Sequence, residues 1–527
     1  MMKPSPGCSY FATVLFLAVL PLHSGCTPAA SQAPAAPSKQ PTSDWADRET
    51  WDVLYIEGVK VGHGFTRRSL VREGNEVLVR TVGGQELAVE RSGQAIRTVI
   101  ELASLETPDG RVRSFQTEAQ LGPSPMLTKG HLVTGRMLIE TTQAGQKAAS
   151  EIPWKQNFLG FFAVDDSLLA QSMKPGERRT LQVLQPIFNQ VATVELVART
   201  LEQTKLLSGT RELLRIDSTT LMPGEKPPGI ASTYWIDATG ETLKVLTPMM
   251  NLVAYRSTKE QALSKSNSAA LDLNLASIVK LDRPLERPHD ARRIRYLVQL
   301  DQGDPASVFV NDRAQKVKAA DEHAADLTVR AVRPETPPDG FSVDTATPAE
   351  EFVKANSFIQ SDDPRIVAMA REAAGAQTDP WKTAVVLEDF VHRKITAKNY
   401  SQAFATAAEV AKSLEGDCTE HAVLLAALAR ARGIPARVAI GLVYVPEASA
   451  DGGASGNAGA GFLYHMWTEV YVAGGWVGLD GTLGKGGAGP AHLKLATSSL
   501  HDATAYSSML PVAQVLGRLK IEVLEVE

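Results

Sequence analysis

The chain is short of cysteine, of surplus positive charge and of long apolar runs, and each shortage removes a class of answer. Its 527 residues hold three cysteines, Cys8, Cys26 and Cys418, and the first two fall in the amino-terminal leader. A disulfide framework is therefore excluded from the rest of the protein. Lys and Arg number 54 against 59 Asp and Glu, a formal charge of -5, so the electrostatic footprint of a nucleic-acid partner is missing. No apolar stretch reaches the roughly 18 residues that a spanning helix needs. What remains is ordinary: 44% hydrophobic and 21% charged residues, the balance of a chain that folds in water. At roughly 150 residues per domain, the length implies about three or four folding units.

Met1-Met2-Lys3 precede an apolar run from Tyr10 to Leu20, and Ser24-Gly25 stand before Cys26. That is the layout of an export signal over residues 1–26. Leu22-His23-Ser24-Gly25-Cys26 resembles the lipobox of bacterial lipoproteins, with His23 departing from the usual apolar residue. The resemblance implies lipidation of Cys26 and a membrane-tethered envelope protein; the alternative is an ordinary periplasmic or secreted one. Residues 27–44, rich in Ala, Pro, Ser and Gln, read as a flexible tether.

Residues 45–257 alternate in short apolar runs, as in Glu76-Val77-Leu78-Val79-Arg80, between turn signals such as Thr107-Pro108-Asp109-Gly110. This predicts a β-rich antiparallel domain, a sandwich or partial barrel, without a catalytic cluster. Residues 258–292 read as a connector and 293–337 as a small β unit. From 338 to 510 an α+β domain is expected, followed by a carboxy-terminal strand over 511–527. Pro380 after Asp379 opens a helix with Trp381, Val385, Val386 and Phe390 as its buried stripe. A second helix follows Ser401 as its cap. A third runs from Cys418 to Arg432 and ends at Gly433, with Pro435 beyond. Strands then cover Arg437 to Val445, Tyr464 to Val472 and Trp476 to Asp480.

Cys418 opens the third helix, where unpaired N–H groups carry partial positive charge and favour a thiolate. His465 lies in a later strand and Asp480 closes the next. A thiol, a base and a carboxylate that orients the base are the parts of nucleophilic acyl transfer. A hairpin loop at Ala473-Gly474 pairs Asp480 with Trp467, diagonal to His465. One at Gly474-Gly475, which turn chemistry favours, sets it opposite Glu469. Glu469 is accordingly the reserve orienting acid, or else an exposed strand carboxylate. A competing reading makes Cys418, His421, His465 and Asp480 a metal site. No nucleotide, flavin or metal motif is present, and no cofactor is expected.

The runs Gly416-Asp417-Cys418-Thr419-Glu420-His421-Ala422, Arg430 to Arg437, His465-Met466-Trp467-Thr468-Glu469-Val470-Tyr471-Val472 and Gly475 to Asp480 resemble the core of the transglutaminase-like superfamily, over residues 350–500. The resemblance implies a papain-like fold with Cys418 as nucleophile, His465 as general base and acid, and Asp480 orienting the histidine. It implies a protein or peptide amide substrate, with water or an amine as acyl acceptor. An inactive envelope-associated binding or scaffold protein is the alternative. Gly481-Thr482 stands where many relatives have Pro after the aspartate. Trp381 and Tyr400 are candidates for stabilising the oxyanion beside the Cys418 N–H. The glycine-rich segment 447–461 is expected to be a loop beside the site.

Overall fold

The structure is a computed structural model. It describes residues 48–91, 94–223, 229–248, 251–265, 278–301, 303–337, 339–342, 346–397, 399, 404–446, 459–501 and 508–527. The expected leader, tether and Cys26 lie outside the described residues, as do Tyr400, Ser401 and residues 447–458 of the glycine-rich segment. The chain divides into two compact units, one within Leu17–Val89 and Arg97–Leu271, the other chiefly Asp272–Glu527.

The first unit is β-rich. Strands β1 (Arg48–Ile56) to β15 (Leu252–Ser257) form one continuous fifteen-stranded sheet. Its order runs from β1 outward to β8 (Gln146–Pro153) on one side and from β15 back to β9 (Phe158–Leu159) on the other, joined where Trp51 pairs with Ser257. The alternation in sequence becomes alternation in burial: Phe115, Thr117 and Ala119 face inward in β5 (Val112–Gln120), between exposed Gln116 and Glu118. Helix α1 (Ala163–Ala170) lays Val164 and Leu168 against Val194, Leu196, Ile216 and Tyr234. Beside α1 lies a cavity of about 120 Å³ whose charges are matched: Arg68 pairs with Asp166, and Arg256 with Asp52 at 2.9 Å.

The second unit is α+β. A four-stranded sheet joins β17 (Arg293–Leu300), β18 (Gln315–Ala319), β19 (Ala324–Arg330) and the carboxy-terminal β24 (Leu519–Val526), in the order β18-β19-β17-β24. The small β unit and the terminal strand are thus parts of one sheet. The other sheet has the order β16-β21-β20-β23, from β16 (Val279–Lys280), β20 (Ala436–Val445), β21 (Gly461–Val472) and β23 (His492–Ser498), with β22 (Gly475–Leu479) also paired to β21.

Helix α2 (Lys259–Leu263) precedes this unit, and α3 (Pro364–Ala374), α4 (Pro380–Lys394), α5 (Ala407–Ser413) and α6 (Cys418–Ala431) lie within it. In α4 the buried residues are Thr383, Ala384, Leu387, Glu388, Phe390 and Val391, with Val386 exposed; of the expected stripe Phe390 is buried, while Trp381 and Val385 are only partly so. Thr406, not Ser401, caps α5, through a capping box with Glu409. Helix α6 is buried along its length from Cys418 to Arg430, its middle from Ala422 to Ala429 being apolar on every side. It ends where Gly433 takes φ +74°.

Candidate active site

Cys418 stands at the first position of α6, and the turn around it is tightly specified. Asp417 caps the helix by accepting the Thr419 N–H at 3.0 Å, and Glu420 reaches back to the Asp417 N–H at 2.9 Å. Burial and the neighbouring Asp417 push the Glu420 carboxyl up to about 8. Gly416, at φ +147°, must lack a side chain, because a Cβ there would meet Glu420 Cβ at 2.3 Å. These contacts hold the sulfur at the positive end of the helix.

His465 lies in the middle of β21, opposite Gly441 of β20. Its Nε2 donates to Asp480 Oδ2 at 2.8 Å. Cys418 acts on the ring as well, both by its charge and as a side-chain hydrogen-bond partner. Burial alone would lower the imidazole pKa; the Asp480 carboxylate and Cys418 override it and raise the value to about 10. Asp480 is also buried, which opposes its ionisation, but His465 and His492 hold it well below the usual carboxylate range. All three groups are enclosed, Cys418 being 0% exposed, His465 2% and Asp480 1%.

The hairpin register explains how Asp480 arrives here. Val472 pairs with Gly475, so the loop is Ala473-Gly474, with φ of 49° and 76°. Both positive angles match a two-residue primed turn. The pairing that turn chemistry favoured, through Gly474-Gly475, is not adopted. The reason lies in the flanking side chains: the observed register brings Trp476 opposite Tyr471, edge to face at 5.5 Å. It also leaves Asp480 just beyond the Leu479–Thr468 pair, diagonal to His465.

Glu469 does not serve as a reserve orienting acid, nor is it an exposed strand carboxylate. It is buried and paired with Arg437 at 2.7 Å and with Lys494. Burial alone would raise its pKa, but these two cations lower it to about 2. Arg437 in turn lies over the Trp476 ring, 4.1 Å from its centroid. His421 is turned toward its own helix, with Nδ1 on the Asp417 carbonyl, and does not join Cys418 in a ligand set. Trp381 is half-buried in the first turn of α4.

Two residues escaped the sequence analysis. Glu388 of α4 accepts the N–H groups of Asp480 at 2.8 Å and Gly487 at 3.2 Å, and burial pushes its carboxyl up to about 7. A carboxyl on a helix face otherwise made of Ala384, Leu387 and Val391 was the available signal. His492 of β23 also reaches Asp480 Oδ2, at 3.0 Å, and carries no motif. Among the described residues, His465, Asp480 and His492 are the group whose ligand atoms converge, within 4.8 Å. Both Nε2 atoms approach the same oxygen at hydrogen-bond distance, so two donors on one acceptor account for the arrangement.

Residues 367–481 match the family model of the transglutaminase-like superfamily. The carboxy-terminal region carries a transglutaminase-like domain. The matched segment of this domain contains Cys418, His465 and Asp480 and stops short of His492. No curated protein matches the chain. Among solved structures, a candidate cysteine protease from Cytophaga hutchinsonii is 15% identical with a TM-score of 0.27, over 45% of this chain and 89% of that one. A β-barrel-like protein of unknown function from Brucella abortus is 7% identical with a TM-score of 0.30, over 41% and 97%. A candidate protease from Parabacteroides distasonis is 11% identical with a TM-score of 0.17, over 68% and 64%.

Proposed function

We propose that the transglutaminase-like domain performs thiol-dependent acyl transfer on a protein or peptide amide. The observation that carries this is the 2.8 Å bond from His465 Nε2 to Asp480, which leaves the opposite ring nitrogen for Cys418. In this reading the Cys418 thiolate attacks the amide carbonyl, and the C–N bond breaks as the His465 imidazolium gives its proton to the leaving amine. The resulting thioester is released to an acceptor whose proton His465 takes up. Water as acceptor makes the enzyme a peptidase or amidase; an amine makes it a cross-linker. Asp480 keeps His465 in the tautomer and orientation that both proton transfers need. The N–H groups at the start of α6 face the carbonyl oxygen as it gains charge.

The test is incubation with a glutamine-containing protein and a labelled amine, scoring amine incorporation against chain cleavage. Either product should disappear in Cys418→Ala. If neither forms with the unaltered chain, the reading fails. The full burial of Cys418 favours a second reading, an inactive envelope-associated binding or scaffold protein. A thiol-directed electrophile separates the two: an enzyme labels quickly near neutral pH and slows in His465→Ala, whereas a scaffold labels slowly in both. We also propose export and lipid anchoring at Cys26, on the strength of the leader sequence alone. Mass spectrometry of the mature amino terminus tests it, an unmodified start elsewhere removing the lipid.

A further inference from the structure

The geometry points to His492 as a positioning residue of the thiolate site: it holds Asp480 at the same carboxylate oxygen that His465 uses. This rests on the proposed chemistry of Cys418. It concerns a residue outside the segment that matches the superfamily, carried by a strand that approaches from the far side of β20.

The Asp480 carboxylate accepts from three donors. Oδ1 accepts the Thr482 N–H at 2.8 Å, while Oδ2 accepts from His465 at 2.8 Å and from His492 at 3.0 Å. His492 is itself held from behind, its Nδ1 lying 3.3 Å from the Gly489 carbonyl. Both ring nitrogens therefore face acceptors. Trp467 packs against both histidines, parallel to His465 and edge-on to His492 at 5.1 Å. The two rings stand 5.9 Å apart although their strands flank β20. Gly441 of β20 permits this approach, since a Cβ there would sit 1.9 Å from the Leu493 carbonyl oxygen.

The other ionisable groups around His492 are accounted for. The His289 ring lies 5.7 Å away, and burial together with the charge of His492 pushes its pKa down to about 4. Lys494, Glu469 and Arg330 line a small cavity with His492, but Lys494 pairs with Glu469 and Arg330 reaches Asp339 at 3.9 Å. Asp480 is thus the anion that His492 addresses. With Oδ2 shared between two donors, the carboxylate cannot swing away from His465, and its pull on the His465 proton is moderated.

The experiment measures alkylation of Cys418 in the full chain. Iodoacetamide gives the rate at neutral pH; iodoacetate, whose negative charge makes attack follow the imidazolium, gives the alkaline limb of the pH profile. His492→Leu, which fills the space without a donor, and His492→Ala are expected to slow alkylation by about tenfold, the low end for outer partners of a reactive site. They should move the alkaline limb to higher pH, because Asp480 then acts on His465 alone. His492→Gln, whose amide N–H reaches the Nε2 position, is expected to restore both rate and limb. A wild-type rate and limb in His492→Leu would overturn the inference. So would a His492→Gln protein as slow as His492→Leu, which would mean that only packing is at stake. If the unaltered chain alkylates no faster than His465→Ala, the thiolate reading fails first and this one with it.

Discussion

At the scale of single residues, the site is governed by buried charges whose partners decide their ionisation. His465 has its pKa raised to about 10 in the folded chain against about 6.5 unfolded. The imidazolium therefore contributes stability that is complete below pH 6.5 and is lost as pH rises through about 10. The stability difference between the unaltered chain and His465→Ala should shrink over that window in denaturant titrations. Glu469 runs the other way: its folded value of about 2 lies below the unfolded one, so its contribution is present above about pH 4.3 and fades as pH falls toward 2. Glu469→Gln should destabilise the protein by about 3–5 kcal/mol at neutral pH, because Lys494 and Arg437 would keep their charges in a buried place with less to balance them. Equilibrium unfolding in urea checks this.

At the scale of elements, two backbone positions set where the chemistry stands. Gly441 has no room for a methyl group against β23. Gly441→Ala should push that strand outward, lowering stability by about 1–3 kcal/mol and slowing Cys418 alkylation along with it. Ala473 sits at φ 49° in the hairpin turn, a conformation that strains any residue with a Cβ. Ala473→Gly should therefore stabilise by about 0.5–1 kcal/mol, the strain relieved less the added freedom of the unfolded chain. A thermal melt that falls instead would contradict this account of the turn. The boundaries of α6 were legible because a cap, a glycine and a proline mark them locally. The face of α4 was less so: Val385 and Val386 are apolar too, and only packing selects Leu387, Phe390 and Val391 over them.

At the scale of the whole molecule, the four-stranded sheet joins β17 to the last residues of the chain, with Tyr296 opposite Val523. Leu519, Ile521 and Val523 are buried by that pairing, each 7% exposed. Ending the chain before Leu519 should cost on the order of 5 kcal/mol from their exposure and leave the edge of β17 open to aggregation. Thermal unfolding and light scattering of the shortened protein test it. The sequence by itself determined what local rules can encode: a β-rich half followed by an α+β domain, a cysteine at a helix start, and the candidates His465 and Asp480. Alternation, caps and turn residues act over a few positions and can be read from one strand of letters. Only the tertiary structure decided the hairpin register, the ion pairing of Glu469, the carboxyl of Glu388 behind Asp480 and the arrival of His492 at Oδ2. Those outcomes depend on which distant side chains share a buried space, and burial makes each charge's partner a property of packing, which no spacing along the chain records.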